Sequence, residues 1–154
     1  LLGLIRADFD LSACREFSVE AGRPDTITEE KLRALREGGA TRISVNPQST
    51  SDAVLAAIGR SHTAEDFRLA MKKAREHFGG DINTDLIAGL PADTPESFED
   101  SLREMIKLGA ENITVHTLSL KKGTKITLEG AEIPGKAEVG RMLDTAIALL
   151  TAAE

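Results

Sequence analysis

Ile82-Asn-Thr-Asp-Leu-Ile-Ala88, running on into Gly89-Leu-Pro91, is the stretch on which the fold turns. It is a β-rich apolar run with a carboxylate, Asp85, in its interior, and it ends in turn residues. Three further strand-like runs share its habit of carrying polar groups near the carboxyl end: Phe17-Ser-Val-Glu-Ala21, Arg42-Ile-Ser-Val-Asn-Pro-Gln48 and Asn112-Ile-Thr-Val-His-Thr117. In the second of these Ile43 and Val45 alternate against Arg42, Ser44 and Asn46, the period of a strand.

Helical patterns fill the intervals. Thr26 or Thr28, followed by Glu29-Glu30, caps a helix that turns Leu32 and Leu35 inward and stops at Gly38-Gly39. A short helix is expected from Asp52 to Ile58. Thr63 with Asp66 forms a reciprocal cap for the next, whose stripe of Phe67, Ala70, Met71 and Ala74 runs to about Phe78. Thr94-Pro95 is a cap followed by proline at the first helical position, opening a helix to about Leu108. A last amphipathic helix spans about Lys136 to Ala153. The order is β-α-β-α-α-β-α-β-loop-α, which joins parallel strands through helices. The first strand is followed by Glu20-Ala-Gly-Arg-Pro and not by G-x-G-x-x-G, so the dinucleotide fold is disfavoured. The expected class is α/β, a partial (β/α) barrel of the TIM type, whose ligand site lies at the carboxyl ends of the strands. Glu20, Gln48, Asp85 and His116 fall there. Leu1-Leu-Gly-Leu-Ile5 reads as the tail of an earlier helix or loop, so residues 1–154 are expected to form one partial domain.

Composition removes several classes of function. The 154 residues are 41% hydrophobic and 29% charged, the balance of a globular domain. With a net charge of −6, five Phe and no Trp or Tyr, the chain lacks the cationic and stacking groups of a nucleic-acid binder. No long apolar run suggests a membrane span, and a cytoplasmic setting is expected. Cys14, the single cysteine, reads as a buried or half-buried spectator. No H-x-x-x-H or C-x-x-C spacing points to a metal.

Each polar candidate has two readings. Glu20 either binds a diol or an ammonium group or pairs with Arg23 or Arg42. Gln48 carries an amide that both donates and accepts, but a loop glutamine is usually solvated. Arg60, after a helix-ending glycine, offers a fixed fork for a carboxylate or phosphate or is an ordinary surface arginine. Asp85 within an apolar strand requires a partner or a ligand. His116 is a core histidine or a ligand-facing one, and an acid–base pair with Asp85 is possible if both share a face of the sheet. His62 and His77 read as surface residues. Lys121, Lys122 and Lys125 form a small basic loop suited to an acidic substrate or simply to water.

Taken together, Phe17-Ser-Val-Glu-Ala-Gly-Arg-Pro-Asp25, Arg42-Ile-Ser-Val-Asn-Pro-Gln48, Ile58-Gly-Arg-Ser-His-Thr63, Ile82-Asn-Thr-Asp-Leu-Ile-Ala-Gly-Leu-Pro91 and Thr114-Val-His-Thr-Leu118 closely resemble the radical S-adenosylmethionine (SAM) enzymes of the anaerobic coproporphyrinogen III oxidase and coproporphyrinogen dehydrogenase family. The resemblance spans nearly the whole chain in order. It implies a three-quarter (β/α) barrel in which a Cys-x-x-x-Cys-x-x-Cys loop holds a four-iron, four-sulfur cluster and SAM is cleaved to a hydrogen-abstracting radical. It also implies oxidative decarboxylation of coproporphyrinogen III to protoporphyrinogen IX in haem biosynthesis. Glu20, Gln48, Arg60 and Asp85 match the family's SAM-binding positions. His116, Lys121 and Lys122 then fall to the porphyrinogen. A haem chaperone on the same barrel is the alternative.

The cysteine triad is absent from these 154 residues. The chain is therefore expected to be a C-terminal portion of the barrel, to bind no cluster alone and to be inactive without the N-terminal part. An electron donor and the porphyrinogen are the other expected partners, and self-association through an exposed strand edge is expected of the isolated piece.

Overall fold

The computed structural model describes residues 1–119 and 132–153. Four strands, β1 (Ser18–Gly22), β2 (Arg42–Val45), β3 (Asp81–Ala88) and β4 (Asn112–Thr117), form one sheet in the order β1-β2-β3-β4, every neighbouring pair parallel. Strand order follows chain order with no reversal. A doubly wound sheet reverses direction at its switch point, whereas a sheet that winds one way is an arc of a (β/α) barrel.

The connections are helical: α1 (Leu2–Asp8) precedes the sheet, α2 (Glu29–Glu37) joins β1 to β2, and α3 (Asp52–Ala57) and α4 (Ala64–His77) join β2 to β3. α5 (Pro95–Lys107) joins β3 to β4, and α6 (Lys136–Ala153) packs against α5. The helix starts are written locally. Thr28 Oγ1 accepts the Lys31 N–H at 3.3 Å. Thr63 and Asp66 exchange backbone and side-chain bonds as a full capping box, as do Thr94 and Ser97 ahead of Pro95. Each satisfies amides that a helix start leaves free.

All helices that touch the sheet lie on one face of it. Ile43, Val45, Ile82, Leu86 and Ala88 are buried with Phe67, Met71 and Ala74 of α4, Phe98, Leu102 and Met105 of α5, and Met142 and Ala146 of α6. The register sets Ile43 beside Ile82 and Leu86 beside Val115, so these side chains leave the sheet together. β1 contains an irregularity between Glu20 and Gly22, where Gly22 takes φ +85°, a conformation that favours glycine. This bulge ends the β1 ladder at the carboxyl rim.

Two sequence expectations fail. Cys14 is exposed, its Sγ donating to the Glu16 carbonyl at 3.1 Å, because the segment between α1 and β1 runs along the surface with only Leu11 and Phe17 half-buried. His62 is buried to 2% exposure, because its loop folds back onto the end of β2. Among the described residues no helix is long and apolar enough to cross a membrane.

Candidate functional site

The face of the sheet opposite the helices is polar. Register pairs Glu20 with Ser44, Ser44 with Asn83, Asp85 with Thr114 and Ile87 with His116, so these residues point to the same side. β3 alternates strictly, with Ile82, Thr84, Leu86 and Ala88 buried on the helix side and Asn83, Asp85 and Ile87 half-buried on the other. In a barrel arc this second face lines the interior.

Hydrogen bonds knit it together. Asn46 Nδ2 donates to Glu20 Oε2 at 3.1 Å. Asn83 Nδ2 donates to Asp85 Oδ1 at 3.0 Å, and Thr114 Oγ1 donates to Asn83 Oδ1 at 3.1 Å. His116 Nε2 lies 3.7 Å from Asp85 Oδ2, with the imidazole 53% and the carboxylate 20% exposed. His116 is thus no core histidine, and it shares a face with Asp85. Asp85 has the partners its place in an apolar strand demands.

The end of β2 brings the second half of the site. Gln48 is buried at 8% exposure and has φ +72°, unusual for a residue with a side chain. Its backbone forms a bridge to β3: its N–H donates to the Asp85 carbonyl at 3.1 Å, and its own carbonyl accepts the Ile87 N–H at 3.0 Å. Gln48 and Asp85 are therefore adjacent at the carboxyl rim. Glu20 joins them through Asn46, two residues before Gln48. Arg60 is half-buried at the start of a loop fixed to the same rim. Ser61 Oγ donates to Asp25 Oδ2 at 3.4 Å and His62 Nε2 lies 3.0 Å from the Pro47 carbonyl. Among the described residues Arg60 makes no side-chain hydrogen bond or ion pair, and no bond joins it to Glu20, Gln48 or Asp85.

Neither suggested ion pair of Glu20 forms. Arg23 pairs with Asp25 at 3.3 Å and Arg42 with Glu16 at 3.1 Å. The Glu20 carboxylate is exposed, and Asn46 is its hydrogen-bond partner. Lys121 and Lys122 lie outside the described residues.

Sequence reasoning missed Asn46, Asn83, Thr114 and His62. Asn46 continues the alternation of β2 on the side of Ser44, a signal that was legible; Asn83 and Thr114 become neighbours only through the β3–β4 register. The rim also holds Asp93, in the turn after β3. Burial pushes its carboxyl above the usual range, against hydrogen bonds from Ser97 Oγ and the Thr94 N–H that tie it to the start of α5.

The arrangement fits a nucleoside carrying hydroxyls, an ammonium and a carboxylate. Glu20 and Asp85 are acceptors for hydroxyl and ammonium donors, Gln48 offers both senses of hydrogen bond, and Arg60 is a cation left for a carboxylate. Asn46 Oδ1 is buried without a partner, a further acceptor beside Glu20. The chain does not fit an iron–sulfur cluster. One cysteine cannot supply three thiolates, and the described residues contain no group of three metal-ligating side chains.

Comparison with known proteins bears on the fold and the family. Residues 9–105 match the family model of the radical SAM superfamily. The chain is 44% identical over 147 residues to the oxygen-independent coproporphyrinogen-III oxidase-like protein HemZ of Bacillus subtilis, covering 94% of this chain and 29% of that protein. It is 36% identical to the heme chaperone HemW of the same organism, covering 79% of this chain and 31% of that one. The solved structure of coproporphyrinogen III oxidase HemN from Escherichia coli, a radical SAM enzyme, superimposes with a TM-score of 0.85 at 28% identity, covering 99% of this chain and 36% of that one. The chain thus spans about a third of the length of these relatives. A one-way parallel sheet with a polar inner face, matched over most of its length by the family model, places the chain in the radical SAM superfamily.

Proposed function

We propose that this chain is the SAM-binding wall of an oxidoreductase that oxidatively decarboxylates coproporphyrinogen III to protoporphyrinogen IX. The observation that carries the reading is the backbone bridge locking Gln48 to Asp85 at the carboxyl rim, on the same edge as Glu20 and the Arg60 loop. Glu20, Gln48 and Asp85 take the ribose hydroxyls and the ammonium group, and Arg60 takes the methionine carboxylate. His116, exposed beside Asp85, and the lysines Lys121 and Lys122 face the porphyrinogen and its propionates.

The cluster is held by a cysteine triad in an N-terminal part of the same barrel, so this piece alone is inactive. When bound together, cofactor and cluster supply one-electron hydrogen abstraction, with an electron donor as a further partner. The role of this chain's residues is to bind, orient and shield. The protein works in the cytoplasm, and the isolated piece self-associates through its β1 edge.

The similarity to HemW favours a second reading, a haem-carrying relative on the same barrel. Full-length protein with a reconstituted cluster separates the two. Anaerobic conversion of coproporphyrinogen III under reducing conditions supports the oxidoreductase; stable haem retention without conversion supports the chaperone. Calorimetric titration with S-adenosylhomocysteine tests the site itself. Asp85→Asn and Gln48→Ala should each weaken binding about tenfold, the value of one hydrogen bond involving a charge. Unchanged affinity in both would refute the site.

A further inference from the structure

His62 is a buried ionisable side chain with no part in the proposed SAM contacts. Its ring is 2% exposed, Nε2 lies 3.0 Å from the Pro47 carbonyl, and Nδ1 is buried with no partner. A carbonyl oxygen only accepts, so Nε2 carries the hydrogen. A histidine packed merely to fill space would not need to direct a donor at this carbonyl.

That carbonyl belongs to the peptide joining Pro47 to Gln48. The same peptide is held on its opposite side, where the Gln48 N–H donates to the Asp85 carbonyl at 3.1 Å. The following peptide is held in turn, because the Gln48 carbonyl accepts the Ile87 N–H at 3.0 Å. Gln48 therefore sits between two pinned peptide planes, whose relative orientation its φ of +72° sets together with its ψ. A non-glycine residue keeps such a conformation only where its surroundings overdetermine it. Two of the three restraints come from β3. The third comes from His62.

We propose that His62 is a positioning residue that clamps the Pro47–Gln48 peptide and so holds Gln48, and through the bridge the end of Asp85's strand, in the geometry that receives SAM. The inference rests on the SAM reading for its functional consequence, but its structural content is independent: the clamp determines the backbone conformation of Gln48. The arm reaches the site from the loop carrying Arg60, two residues earlier, so one hydrogen bond couples the residue assigned to the carboxylate with the residue assigned to the ribose.

The test uses the full-length protein with a reconstituted cluster and the variants His62→Gln, His62→Asn and His62→Leu. The glutamine amide donates from about the position of Nε2; the asparagine amide is too short, and leucine has no donor. Two readouts are taken: affinity for S-adenosylhomocysteine, and hydrogen exchange of the peptide containing Gln48. His62→Leu and His62→Asn should weaken binding about tenfold, the loss of one hydrogen bond, and speed exchange at Gln48, while His62→Gln stays within about threefold of wild type. If His62→Leu fails to fold, the Gln and Asn pair decides. Equal damage in Gln and Asn, or unchanged exchange at Gln48 in both Asn and Leu, overturns the clamp. If Asp85→Asn weakens binding but none of the His62 variants does, the clamp fails and the SAM site stands. If Asp85→Asn and Gln48→Ala leave affinity unchanged, the SAM reading fails, and exchange at Gln48 alone decides the clamp.

Discussion

Thr84 and Thr114 are hydroxyls on adjacent strands that face opposite sides of the same sheet, and replacing each by valine should move stability in opposite directions. Thr84 is 0% exposed, and its Oγ1 is buried without a hydrogen-bond partner among the helix-side apolar residues. An unmet buried hydroxyl costs about 1–3 kcal/mol. Valine keeps the branched shape and puts a methyl where the oxygen was, so Thr84→Val should stabilise by about 1 kcal/mol or more. Thr114 Oγ1 instead donates to Asn83 Oδ1 at 3.1 Å on the half-buried polar face. Its loss costs about 0.5–1.5 kcal/mol, toward the lower end because water reaches that face.

The two variants should therefore differ by about 1.5–2 kcal/mol, with Thr84→Val above wild type and Thr114→Val below. Urea unfolding checks this, since a shift in midpoint at constant slope reports stability directly. In a chain of this length each kcal/mol also moves Tm by about 2–4 °C. A destabilised or unchanged Thr84→Val at constant slope would show that its hydroxyl has a partner and that the helix side of β3 is not dry. Shifts of the same sign in both would refute the division of the sheet into a dry face and a ligand-facing one.

Glu111→Gln should lower stability at neutral pH and not in acid. Burial raises the Glu111 carboxyl, but the Arg75 guanidinium at 2.5 Å and the Ile82 N–H at 2.8 Å outweigh it and hold it below the usual glutamate range. A depressed folded value means the contribution is present above the unfolded glutamate pKa and is lost as pH falls through the folded one. The loss at pH 7 should be about 1 kcal/mol or less, because the pair is more than a third exposed, and wild type and variant should converge in a Tm series taken into acid. Gly89→Ala should destabilise by about 1–2 kcal/mol, because Gly89 has φ +87° and an added Cβ would meet Val139 Cγ2 of α6 at 3.0 Å. A second change, Val139→Ala, should relieve only the contact, which a double-mutant cycle in urea would resolve.

Much of the architecture was legible because its causes are local. Thr63 with Asp66 and Thr94 ahead of Pro95 cap helices by bonds spanning three residues, and the inward stripe of Phe67, Ala70, Met71 and Ala74 follows from helical period alone. Asp85 was conspicuous for a similar reason, since a charge inside an apolar strand is a local anomaly. In the structure it lies within β3, and the bond from the Gln48 N–H to its carbonyl ties it to the end of β2.

The chain by itself thus determined its elements, their parallel order and the rim on which polar groups gather. What only the tertiary structure decided is how those groups meet. Asp85 faces His116 because β3 and β4 pair in one particular register, Glu20 meets Asn46 and neither arginine, and His62 is interior because its loop closes over the Pro47 carbonyl. Gln48 carries no sequence mark of its positive φ; bonds from β3 and from His62 impose it. Periodicity and capping act over a few residues and can be read along a chain, whereas contacts between residues tens of positions apart depend on register and loop closure, which exist only once the sheet has formed.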